Sequence, residues 1–245
     1  MEKKKRTGLM LSLMLSASLL AGCSNSGVSS KSEVQQIESS QVETKNADLE
    51  AKELLTNLEG TYQELWPVIL SDDYRQLWID DSAAIVGDDN AEAAFEKMSS
   101  MVTGTVTGEE AVEAYKDGNM AYDCSFLQDV KKFKFDGDVI SGTDDNGKEV
   151  FSHSYHYIGM EETRGLYIYE SNDKDSGEFT YFCIAPDTMD TTWHIEFRYG
   201  SDLDALRKYD SGEYAYWLAA GISTDCTQKD IENCIQLFCT ENLSE

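Results

Sequence analysis

The sequence predicts an α+β domain, mostly β, in which a small antiparallel barrel or sandwich is flanked by helices at both ends. Three observations carry this. Apolar residues recur at helical spacing through about Lys116, and from about Met120 the pattern changes to short strand-like runs. Asp136-Gly137 and Asn146-Gly147 are hairpin signals set among those runs. Helical spacing then returns near the C-terminus, where Ile231, Cys234, Ile235 and Phe238 share a stripe.

In chain order, Ala47 to Thr56 is rich in Ala, Leu, Glu and Lys and reads as a helix. A second helix is expected from Thr61 to Leu70, with Tyr62, Leu65, Trp66 and Leu70 at helical spacing and Pro67 kinking or breaking it. Asp88 to Met101 is a third, with Asp89 as its cap and Ala91, Ala94, Phe95, Met98 and Met101 on one face. Glu109 to Lys116 is a short fourth, ended by Gly118. Strands are expected at 132–135, 139–142, 150–158, 166–169, 179–184 and 193–199. Half a dozen short strands at this spacing suggest a barrel or a sandwich. Ser201 through Asp204 resembles a capping box with Leu203 and Leu206 behind it. The last helix, 228–240, starts after Thr227 with Asp230 three residues on.

The N-terminus places the chain in the cell. Lys3, Lys4, Lys5 and Arg6 precede an apolar run from Leu9 to Leu20, too short to span a bilayer comfortably, and Leu20-Ala21-Gly22-Cys23 follows. This reads as a signal peptide over 1–22. Its ending resembles the lipobox of bacterial lipoproteins, which implies a lipid-modified Cys23 anchoring the chain to the outer side of a membrane. Residues 23–46, polar and without an aromatic, read as a disordered tether, and 47–245 as one domain. The leader holds four basic residues and one acidic, so 16 basic face 45 acidic side chains afterwards. That balance argues against nucleic acid as a partner and repels anionic headgroups. Beyond Cys23, the five cysteines Cys124, Cys183, Cys226, Cys234 and Cys239 allow at most two disulfides and lack structural-zinc spacing.

Chemistry concentrates in Trp193-His194-Ile195-Glu196-Phe197-Arg198-Tyr199, which holds one of only three histidines. Period-two alternation puts His194, Glu196 and Arg198 on one face of a strand and the apolar residues on the other. An imidazole and a carboxylate two positions apart can converge on one cation. The same pattern suits a strand with a solvated outer face on which Glu196 pairs Arg198. His153 and His156 differ by three on the run 150–158, so they face opposite sides of it. The sequence shows no Ser/His/Asp or Cys/His arrangement and no phosphate loop, so an enzyme is not expected.

Several motifs arrive in the order of a known family. Leu58-Glu59-Gly60-Thr61-Tyr62-Gln63-Glu64-Leu65-Trp66-Pro67 resembles an opening aromatic-x-Gly-x-aromatic-Gln run that closes in aromatic-Pro, and Tyr115-Lys116-Asp117-Gly118 resembles a Tyr-x-x-Gly step into the first strand. Arg164-Gly165-Leu166-Tyr167-Ile168-Tyr169-Glu170 and Trp193 to Asp202 are similar to later strands and a Gly-x-Asp turn into a helix. Together they resemble the ZinT (YodA-like) family of extracytoplasmic metal-binding proteins over roughly residues 55 to 240. The resemblance implies a lipocalin-like (calycin) antiparallel barrel with added N-terminal and C-terminal helices. It also implies capture of zinc or a similar divalent metal ion, handed on to metal-import components.

The family's ligands are three histidines, two of them in a His-x-His that corresponds to His194 and Glu196. The third, upstream, falls on Ala185. His194 and Glu196 could still supply two donors to zinc, with Cys183 or Asp187, which flank Ala185, as a third, and with His153 and His156 as further candidates. The alternative is a calycin-barrel interaction or small-ligand-binding module whose metal site has decayed.

Overall fold

The computed structural model describes residues 49–102, 107–116, 122–185 and 193–244. The leader, Cys23, the tether and Asp187 lie outside the described residues. Eight antiparallel strands, β1 (Gly60–Glu64), β2 (Lys132–Asp136), β3 (Val139–Thr143), β4 (Glu149–Glu161), β5 (Leu166–Ser171), β6 (Tyr181–Ile184), β7 (His194–Gly200) and β8 (Ala219–Ser223), close in sequence order into a barrel. Closure depends on β1, which pairs with β2 from Gly60 to Gln63 and with β8 from Tyr62 to Glu64, leaving no free sheet edge.

Alternation decides what fills the barrel. On β2, Phe133 and Phe135 turn inward while Lys132, Lys134 and Asp136 face water. Phe133 meets the rings of Phe126, Phe151, Phe182, Phe197 and Tyr199 at centroid distances between 4.8 and 6.0 Å. The lumen is therefore a packed aromatic core. Gly142 on β3 belongs to that packing, because a Cβ there would meet the Phe151 ring at 2.5 Å.

Helices pack in a second layer outside the barrel, except the first, from which Ala51, Leu54 and Leu55, with Leu58 just beyond it, join the barrel core. The helices are α1 (49–57), α2 (Leu65–Ile69), α3 (Arg75–Val86), α4 (Asp88–Val102), α5 (Gly108–Lys116), α6 (Leu203–Leu206) and α7 (Gln228–Leu243). Leu65, Ile69, Trp78, Met98, Ile231, Ile235 and Phe238 pack with Ala220 and Ile222 of β8 into a core separate from the lumen. Thr227 and Asp230 form the capping box of α7.

The expected helix over 61–70 is overturned in its first half. Thr61 to Glu64 is strand β1, since pairing on both sides and the inward Tyr62 outweigh local propensity, and helix survives only from Leu65. The strand β8 and the helix α3 had no counterpart in the sequence reading. β8 is buried on both faces, so Ala-Ala-Gly-Ile-Ser carries no alternation to read. The cap of α6 is Asp202, whose carboxylate accepts the N–H groups of Asp204 and Ala205, while the Ser201 hydroxyl donates to Glu178.

Candidate functional site

β7 separates two environments. Ile195, Phe197 and Tyr199 enter the lumen, and His194, Glu196 and Arg198 project from the outer face. That outer face is covered. His194 is 6% exposed and Arg198 1%, because α7 and the chain from Leu206 to Tyr214 lie across them. The strand enters from Trp193, which is half exposed and held at φ 50°, a strained conformation for a large side chain.

The anticipated solvent-facing Glu196–Arg198 arrangement gives way to a buried clamp. Arg198 donates through Nη1 to the carbonyls of Leu206 and, at 3.3 Å, Lys208, and through Nη2 to that of Tyr214. It thereby fastens the segment after α6 to the barrel. The guanidinium of Arg164 stacks on Tyr209 of that segment at 3.6 Å.

His194 packs against Phe238 of α7 with ring centroids 5.7 Å apart. Burial pushes its pKa down to about 4, so the imidazole is neutral at physiological pH and no proton competes for its lone pair. Glu196 lies two residues along on the same face. Opposite Glu196, one residue past the end of β6, stands Ala185, whose N–H donates to the Glu196 carbonyl at 2.9 Å. Positions 185, 194 and 196 are thus neighbours on one surface, and the first contributes only a methyl group.

The other expected donors are elsewhere. Cys183 pairs in register with Arg198, four residues along from His194, and burial pushes its thiol up to about 12. His156 shares a row with Glu170, Tyr181 and Gly200, at the opposite end of β7 from His194. Six residues of strand make that about 20 Å. There His156 faces Glu170 at 4.0 Å, and His153 Nδ1 meets Asp173 at 2.8 Å. Among the described residues no group of three or more His, Cys, Asp or Glu side chains is arranged to hold a metal ion. None of their helices is long and apolar enough to cross a membrane.

Cys124 is the residue that the sequence reading passed over. Its carbonyl accepts the N–H of Ala220, the register partner of Glu196, so it sits one strand further round the same surface. Burial first, then the carboxylates of Glu196 and Asp123, raise its pKa and keep the thiol protonated, against a small opposing pull from the Trp66 indole N–H. Cys124 and Glu196 line a cavity of about 50 Å³ between β7 and the helical layer, with Trp66, Met98, Tyr209 and Phe238 among its walls. Spacing along the chain could not show this, because 72 residues separate Cys124 from Glu196.

The sequence matches no protein-family model and no curated protein. Among the solved structures similar in fold are the following two. One is the Zn(II)-bound ZinT-like domain of Streptococcus pneumoniae AdcA, at a TM-score of 0.45 and 13% identity over 73% of this chain and 87% of that one. The other is Zn(II)-bound AdcA from Streptococcus pneumoniae, at a TM-score of 0.41 and 14% identity over 74% of this chain, which spans 34% of that longer one. At this level the likeness is one of fold.

Proposed function

We propose that the chain is a binding protein, not an enzyme, which captures a divalent ion of borderline softness, zinc first, on the outer face of β7. His194 and Glu196 are its donors and water completes the coordination. The observation that carries this reading is the placement of a neutral, buried imidazole and a carboxylate two residues apart on one face. The ordered motifs of the ZinT-like family support it, as does a leader that would hold the protein by a lipid on Cys23 outside the cytoplasm, where a captured ion could be passed to an importer.

With two donors instead of three, affinity should be modest. Calorimetric titration of residues 24–245 with zinc is expected to give one site tighter than about 100 µM, or roughly 5.5 kcal/mol. His194→Ala should abolish it and Glu196→Gln weaken it at least tenfold. Absence of binding tighter than that limit would sink the proposal. It would favour the second reading, a barrel-based interaction or small-ligand module with a decayed metal site, which the lack of a three-donor group among the described residues supports.

A further inference from the structure

We propose that the cleft between α1 and the end of the barrel remote from His194 binds a short zwitterionic peptide, two or three residues long. The cleft has a volume of about 580 Å³, within the range of small-ligand sites. Lys52, Leu55 and Thr56 of α1 line one side of it. Tyr155, His156 and Tyr157 of β4 line the barrel side with Tyr169 of β5, and Asp138 stands at the turn from β2 to β3.

Most polar groups around this cleft are already committed. The Tyr155 hydroxyl donates to the Phe179 carbonyl, that of Tyr169 to the Ala51 carbonyl and that of Thr56 to the Lys52 carbonyl, while His156 faces Glu170. Lys52 and Asp138 differ from these. Among the described residues neither side chain has an ion-pair or hydrogen-bond partner, and the two do not pair with each other. The cleft therefore offers one cation from the helix and one anion from the turn, and a ligand that carries both charges, held apart, answers them together. A single amino acid keeps its ammonium and carboxylate on one carbon, whereas two or three extended residues separate them by about 7–10 Å. The C-terminal carboxylate goes to Lys52 and the N-terminal ammonium to Asp138. Leu55 and the tyrosines supply apolar contact for a ligand side chain, chiefly Tyr157, which is half-buried where Tyr155 and Tyr169 are fully buried.

This site is distinct from the zinc reading, since neither His194 nor Glu196 borders it. The test is a calorimetric titration of residues 24–245 with the dipeptide alanyl-phenylalanine, with its N-acetyl form, which lacks the ammonium, and with its C-terminal amide, which lacks the carboxylate. The free dipeptide is expected to bind one to one with a dissociation constant of about 1 mM or tighter, and each capped form about tenfold more weakly. Asp138→Asn should weaken the free dipeptide about tenfold and then bind the free and acetylated forms alike, and Lys52→Gln should do the same with the free and amidated forms. Both side chains are exposed, so neither substitution touches the core. His194→Ala should leave the affinity unchanged. No binding at about 10 mM, capped forms that bind as well as the free dipeptide, or discrimination that survives the two charge-removing substitutions would overturn the proposal. Loss of binding on His194→Ala would overturn it as well, by placing the peptide at the other end of the barrel.

Discussion

The two sides of β7 make opposite use of one strand. Inward, Ile195, Phe197 and Tyr199 join a lumen closed by rings from β2, β4 and β6; outward, His194, Glu196 and Arg198 enter a covered layer, in which Glu196 shares a cavity with Cys124. Eight-stranded barrels of this kind can hold a small ligand inside. Here aromatic side chains occupy the interior, so the chemistry has moved to the seam between barrel and helices. A packed core is built for stability and a polar seam for binding, so mutations on the two sides should separate into two kinds of effect.

The largest effect belongs to the lumen. Phe133 is fully buried at the centre of the ring contacts, and Phe133→Ala should cost about 3–5 kcal/mol in urea unfolding. Zinc affinity of the folded fraction should not change. A tenfold loss of zinc binding at full occupancy of the fold would break the division between the two sides.

Next in size is the response of the seam to acid. The folded pKa of His194, about 4, lies below the ordinary value of 6.5, so between these the unfolded chain binds more protons. Stability from keeping the imidazole neutral is complete above about pH 6.5 and is lost as pH falls toward 4. Between pH 7 and pH 5 the loss should be about 2 kcal/mol. His194→Leu, in chemical denaturation at both pH values, should remove that increment while the carboxylates' contribution remains. An identical pH response in the two proteins would place the imidazole in contact with water.

How far these two sides were legible follows from pattern. The alternation of β7 and β2, the two hairpin signals and the capping box of α7 were readable because each depends on neighbours in sequence. β1 read as helix because Tyr62 and Leu65 fit helical spacing, and only strands far along the chain make Gly60–Glu64 extended. β8 was invisible because both its faces are buried. Of the site, the shared face of His194 and Glu196 was readable. The burial of that face and the approach of Cys124 were not, since α7 and residues 122–124 come from distant parts of the chain.

A gain of function sharpens the seam further. Ala185 is hydrogen-bonded directly across from Glu196, so Ala185→His would add an imidazole to the surface that His194 and Glu196 share. Zinc binding should tighten at least tenfold, about 1.4 kcal/mol, in the same calorimetric titration. No gain would mean that the covering helix leaves the third donor no approach.

The smallest effect is expected where the remaining histidines lie. His153 and Asp173 form a pair at 2.8 Å with the carboxylate side chain 56% exposed, on the far end of the barrel from His194. Pairs so open to water contribute up to about 1 kcal/mol. His153→Ala should therefore lower stability by no more than that and leave zinc titrations unchanged, because a donor near the far end of β7's row cannot reach an ion held by His194. A tenfold loss of zinc affinity in this variant would move the metal from the seam to the end of β4, and with it the reason for separating the two faces of β7.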